Sequence, residues 1–190
     1  YISILLLFTM TSCNSNSERS SEQTGELYEQ INYEKGTFGY DLSFLQKYDS
    51  SLVVLESEDK NSQIIVSPKY QAKVFTSSAK GLAGRSFGWV NYAAFDEPLN
   101  DHMNAYGGED RLWLGPEGGK YAVFFKPGSK MVFDEWHTPA AIDTEAWIKT
   151  GSKDNEVSME KETQIQNYAG TDFKIKLSRH VSLLSNSEIQ

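Results

Sequence analysis

The chain has 190 residues, 39% of them hydrophobic and 23% charged, which is the composition of a globular protein with room for one ordinary core rather than of a disordered segment. Its formal charge of −8 argues against a protein that tracks a nucleic-acid backbone, because that affinity comes mostly from Lys and Arg neutralising phosphates. Aromatic residues make up 13%, which favours β-rich packing and supplies apolar faces on which a sugar or base can stack.

The chain opens with "YISILLLFTMTSC", an apolar run too short to span a bilayer, ending in small polar residues and then Cys13, the only cysteine. This looks like the end of a bacterial lipoprotein signal, cleaved before a cysteine whose thiol then carries lipid, although Met10 stands where leucine is usual. The polar stretch "NSNSERSSEQTGE" that follows has the composition of a flexible tether. The expected organisation is a partial signal peptide over 1–12, a lipid-anchored linker over 13–35, and a β domain over 36–190. The first residue is Tyr1 and no basic region precedes the apolar run, so the front reads as cut. The chain stops just after a strand signal, so a further C-terminal portion is expected as well. The address implied is the bacterial cell envelope, with the membrane engaged through the lipid only.

Residues 40–48, "YDLSFLQKY", place Leu42 and Leu45 at helical spacing behind Asp41, a good N-cap residue, and predict a short helix. "SLVVLE" (51–56), "SQIIVS" (62–67) and "AKVFTSS" (72–78) are β-branched or apolar runs separated by Asp, Asn and Pro, the spacing of a meander. Residues 86–95, "SFGWVNYAAF", are read as a further strand, followed by an irregular segment, "DEPLNDHMNAYGGED".

The stretch "GGEDRLWLGPEGGKYAVFF" (107–125) crowds glycines against charges. A phosphate loop is excluded, because Gly119-Lys120 is followed by Tyr121 and the position five before Gly119 is Leu114. A dinucleotide fingerprint fails too, since no glycine trio lies between a buried strand and a helix. The stretch is read instead as two strands, "RLWL" and "YAVFF", joined by a glycine-bearing hairpin, with Arg111 and Trp113 on one face. In "EVSMEKETQIQ", Val157, Met159, Thr163 and Ile165 share one parity and face a polar set, and "DFKIKLS" repeats the pattern with Phe173, Ile175 and Leu177. The "NYAGTD" turn between them pairs Glu162 with Lys176 and Gln164 with Lys174. No helix-length periodic segment follows residue 50, so the class is all-β, an antiparallel β-sandwich with a short N-terminal helix.

Taken together, "TFGYDLSFLQKY", "IIVSPKYQAKVFTSSA", "RSFGWVNY", "HMNAYGGEDRLWLGPEGG" and "HTPAAIDTEAW" resemble an uncharacterised family of lipoproteins from Bacteroidetes-type bacteria. Its members look like relatives of aldose-1-epimerase (galactose mutarotase). The resemblance implies the N-terminal part of a β-supersandwich with a sugar site on a concave face. Mutarotases carry an arginine in a Gly-Arg element, matched here by Gly84-Arg85, and a histidine before a Gly-Gly pair, where this chain has Tyr106 before Gly107-Gly108. His102 lies four residues earlier as the substitute, and the glutamate base would fall beyond Gln190.

The candidate sugar-binding residues are therefore Arg85, His102, Glu109, Arg111, Trp113 and Glu117, with Arg111 and Glu117 as hydrogen-bonding groups and Trp113 as a stacking platform. The alternative is an Arg–Glu pair on a sheet surface and a core tryptophan. Trp89, Trp136 and Trp147 are read as core. His102 and His137, far apart in loop-like sequence, and a single cysteine make no zinc signature. Asp96, Glu97, Asp101, Glu109 and Asp110 have the oxygen-rich character that Ca²⁺ takes but not the spacing of a known loop, and are read as a solvated acidic segment. No cofactor is expected. Two functions follow: an envelope carbohydrate-binding protein, or an enzyme on sugars that uses His102 or His137 as acid.

Overall fold

The computed structural model describes residues 32–185 and 188. Cys13, the signal and most of the expected linker lie outside them. Two three-stranded antiparallel sheets form the domain. The first orders β1 (Val53–Glu56), β2 (Gln63–Ser67) and β3 (Lys73–Ser78), and the second β4 (Ile148–Lys153), β5 (Glu156–Gln166) and β6 (Asp172–Ser182). One helix, α1 (Phe38–Leu45), precedes them. The all-β class with a short helix is what the sequence predicts.

The first sheet is buried on both faces, which explains why its strands read as continuous apolar runs rather than alternating ones. Ile65 and Phe75 point toward α1 and pack with Phe38, Leu45, Val90 and Tyr106. Val53, Leu55 and Val66 point the other way and share a core with Trp147, Val157 and Met159 of the second sheet region. The order of layers is thus α1, first sheet, second sheet. The β5–β6 register places Glu162 opposite Lys176 and Gln164 opposite Lys174, as the polar-face matching predicts. Lys176 takes its ion pair diagonally, at 2.7 Å from Glu160.

Three expectations are corrected. The helix begins before Asp41, which lies buried in its first turn instead of capping it. The N–H groups of Phe38 and Gly39 are satisfied by the carbonyls of Gly84 and Leu82, so a neighbouring loop does the capping. Residues 86–95 are not a strand: Val90 makes one bridge to Gly107, and Tyr92–Phe95 turn into a 3-10 helix. "RLWL" and "YAVFF" form no hairpin: Trp113 and residues 122–125 close a local aromatic cluster, and Leu112 packs against the core between the sheets instead. β4 has no sequence signal; all six of its residues are exposed, so nothing alternates.

Candidate functional site

The glycines of 107–108 serve backbone approach. Gly107 and Gly108 have φ of +85° and +114°, and a Cβ on Gly107 would lie 2.1 Å from the Trp89 carbonyl oxygen. Gly108 N donates to that same carbonyl at 2.7 Å. No other residue fits there. The loop they open is held by a buried polar hub. Asp143 accepts from Asn104 N at 3.0 Å, Asn104 Nδ2 at 2.7 Å, Gln71 Nε2 at 3.1 Å and the Arg111 guanidinium at 2.7 Å. Gln71 reaches it from left-handed backbone, at φ 65°, with Ala72 after it at φ 49°, a conformation that costs energy and persists only where its surroundings impose it.

Lys73 lies beneath the hub, 2% exposed, and its ammonium donates to the Gly107 carbonyl. Burial, and then the neighbouring Arg111 cation, push its pKa down to about 8. Asp110 accepts from Val74 N at 2.9 Å and pairs with Arg179, while Glu109 accepts from Ser77 N and Oγ at 2.6 and 2.7 Å. Arg111 and Glu109 therefore hold the scaffold. The expected Arg111–Glu117 pair does not form: Arg111 goes to Asp143, and Glu117 accepts from the Trp113 indole at 2.8 Å.

Trp113 is packed by the Arg111 guanidinium at 4.9 Å and by Phe124 at 5.1 Å. It starts an aromatic stack rather than ending one. Phe124 lies parallel to Trp136 at 5.3 Å, Trp136 faces Phe133 at 6.3 Å, and Phe133 meets the His102 ring at 4.4 Å. His102 in turn stacks on His137 at 5.2 Å, with 11° between the rings. The two histidines bond reciprocally across their loops, His102 Nδ1 to the Trp136 carbonyl at 2.6 Å and His137 Nδ1 to the Asp101 carbonyl at 2.7 Å. A carbonyl only accepts, so each Nδ1 carries hydrogen, and each Nε2 is left to act toward a ligand.

Beside this stack opens a cleft of about 450 Å³, with a floor of Phe124, Phe125 and Pro139 and a rim of Asp101, Lys126, His137 and Gln166. Thr138 also lines it. Its Oγ1 is buried and takes no partner in the protein. The structure thus brings His102 and Trp113 near the cleft, keeps Glu117, Arg111 and Glu109 as supports, and leaves Arg85 exposed elsewhere, bridged through its backbone to Thr37. Lys126, Thr138 and Gln166 carried no signal of a site in the sequence, and Asp101 only that of an acidic segment. His137 was visible as a loop histidine, but its pairing with His102 across 35 positions was not.

The tryptophans divide. Trp147 is core, its indole donating to the Ala141 carbonyl at 3.0 Å; Trp136 is half-buried in the stack; Trp89, expected in the core, is 64% exposed. The acidic residues disperse, with Asp96 accepting from Tyr48 Oη and Glu109 and Asp110 turned to β3. Among the described residues no group of three or more His, Cys, Asp and Glu is placed to hold a metal ion, and no helix is long and apolar enough to cross a membrane.

No curated protein and no solved structure is significantly similar to the chain. One family profile matches residues 36–190, and by that match the chain belongs to DUF6786, a family of unknown function.

Proposed function

We propose that the protein is a lipid-anchored carbohydrate-binding protein of galactose-mutarotase-like fold, and that the cleft beside Phe124, His137 and Thr138 holds the sugar ring. One observation carries the reading: a cleft that joins an apolar floor to a polar rim is lined by Thr138, whose buried Oγ1 has no protein partner. Sugars present both surfaces, C–H faces for the floor and hydroxyls for the rim. A volume of about 450 Å³ falls in the range of small-ligand sites. His137 Nε2 and Asp101 supply an acceptor and an anion for sugar hydroxyls, and Lys126 supplies donors. The lipid anchor is supported by the order of apolar run, small residues, Cys13 and polar tether.

The test is a glycan array on the full chain, followed by calorimetric titration of the strongest hit. Thr138→Val keeps the shape and removes only the orphan hydroxyl, so it lowers affinity roughly 10-fold, the worth of one hydrogen bond, without lowering the melting temperature. Unchanged affinity in Thr138→Val and in His137→Gln overturns the assignment of the cleft.

A second reading, ring-opening catalysis, is favoured by the fixed tautomers. With Nδ1 pinned, His102 and His137 each present Nε2 as an acid or base of fixed orientation. In mutarotation a base takes the anomeric hydroxyl proton, an acid protonates the ring oxygen, and the C1–O5 bond breaks and re-forms. Polarimetry on freshly dissolved α-D-galactose decides it: catalysis lost in both His102→Gln and His137→Gln supports the enzyme, and a rate equal to buffer alone in the wild type removes it.

A further inference from the structure

A second cleft, sharing no residue with the first, lies where α1 meets the segment after β3. We infer that it binds a carboxylated sugar ring, with the Trp89 indole as platform and the Lys35 ammonium as the carboxylate's partner. The inference does not rest on the reading of the first cleft. The cleft encloses about 580 Å³, and its lining includes Lys35, Asp41, Ser86, Trp89, Asn91 and Tyr92.

The platform is rigid. On one side of Trp89, a Cβ at Gly88 would lie 2.1 Å from the Phe75 carbonyl oxygen, so the backbone there rests directly on β3. The Trp89 carbonyl itself takes Gly108 N at 2.7 Å and Asn91 N takes the Tyr106 carbonyl at 3.1 Å. A tryptophan clamped by its backbone and 64% exposed by its ring presents a large apolar face at little ordering cost, which is what stacking against a sugar face requires.

The charge of the cleft follows from its hydrogen bonds. Asp41 is 2% exposed, and its two carboxylate oxygens accept the hydroxyls of Ser86 and Tyr92, so the anion is spent beneath the floor. Lys35 instead sits at the rim, 4.7 Å over the Tyr92 ring, and takes no carboxylate partner among the described residues. Asn91 donates its Nδ2 to the Ala105 carbonyl at 2.8 Å, which fixes the amide and turns Oδ1 into an oriented acceptor for a ring hydroxyl. An aromatic face, a cation without a carboxylate partner among the described residues and an oriented acceptor together match a uronate-type ring, whereas a neutral sugar would leave the cation unused.

The full chain is titrated with α-1,4-linked trigalacturonate and with its fully methyl-esterified form, in which each carboxylate is replaced by a neutral ester on the same ring. Wild type is expected to bind the acid at least roughly 10-fold more tightly at low salt, the worth of one charge-assisted contact. Lys35→Gln erases that difference, Trp89→Ala abolishes binding of both, and Lys149→Gln, which removes an exposed positive charge on β4, leaves both unchanged. All three variants melt with the wild type. Retained binding in Trp89→Ala, retained discrimination in Lys35→Gln, or a wild type that binds neither probe overturns the inference. Thr138→Val bears on the first cleft alone, so failure of either site is read separately.

Discussion

Lys73 provides a test of the buried hub that needs no ligand. Its pKa falls from 10.5 to about 8, first through burial and then through the Arg111 cation, with Asp110 and Asp143 opposing. At about 1.4 kcal/mol per pH unit, that fall means the charged amine destabilises the fold by about 3 kcal/mol where both states are protonated. The unfolded chain keeps its proton until near the ordinary lysine value, while the folded chain gives it up near 8. Between those two values the unfolded state binds more protons, so stability rises with pH; below about 8 the full penalty applies. Urea unfolding in steps from pH 7.5 to 9.5 should therefore show a gain of about 2 kcal/mol in the wild type. Tyr92, whose pKa is raised by burial and by its bond to Asp41, works in the opposite direction, but only as the unfolded tyrosine ionises near 10, above this window. Lys73→Met should flatten the profile. A flat wild-type profile, or a rise that persists in Lys73→Met, refutes the reasoning.

Three further outcomes follow from the same packing. Asp143→Asn leaves the half-buried Arg111 without its anion and turns an amide donor toward Asn104 and Gln71, so it should lose about 3–5 kcal/mol in denaturant unfolding; a loss under about 1 kcal/mol would show that the hub is not buried in solution. Gly107→Ala meets both a positive φ and the Trp89 carbonyl at 2.1 Å, and should cost more than the roughly 1–2 kcal/mol of the left-handed backbone alone, measured as melting temperature on purified protein. Cys13→Ala, expressed beside the wild type in a bacterium fed labelled palmitate, should abolish the label; equal label in both removes the lipid anchor.

What the sequence revealed depends on how each element earns its burial. β1 to β3 announce themselves because both faces are covered, and β5 and β6 because one face is wet and the other is not. β4 pairs along β5 with no buried residue, so its sequence carries neither pattern. The stretch 111–125 misleads for the opposite reason: Trp113 and residues 122–125 are buried against one another and against Trp136, which local periodicity cannot distinguish from burial against a sheet. The site was legible only in part. His102 and Trp113 stand out by residue type, but Thr138 matters because its hydroxyl lacks a partner, and a missing partner is visible only in three dimensions.

The hub and the first cleft are joined through the same two loops, and this decides how their variants should be interpreted. Asp143 holds Asn104 by its backbone and side chain, while two residues earlier in the first loop the His102 carbonyl accepts Thr138 N at 2.8 Å. Loosening Asp143 or Arg111 therefore frees the loop that carries His102, and with it the carbonyl that positions Thr138. Arg111→Ala should lose stability and binding together, because it strips a guanidinium from Asp143 at 2.7 Å and from the Trp113 face at 4.9 Å. Thr138→Val should lose binding alone, because its hydroxyl bonds to nothing in the folded protein. Measuring melting temperature and affinity on both variants separates a residue that touches the ligand from one that holds the loop. If Arg111→Ala melts with the wild type yet fails to bind, the guanidinium reaches the ligand directly, and the site extends from the Thr138 cleft back into the glycine-rich stretch.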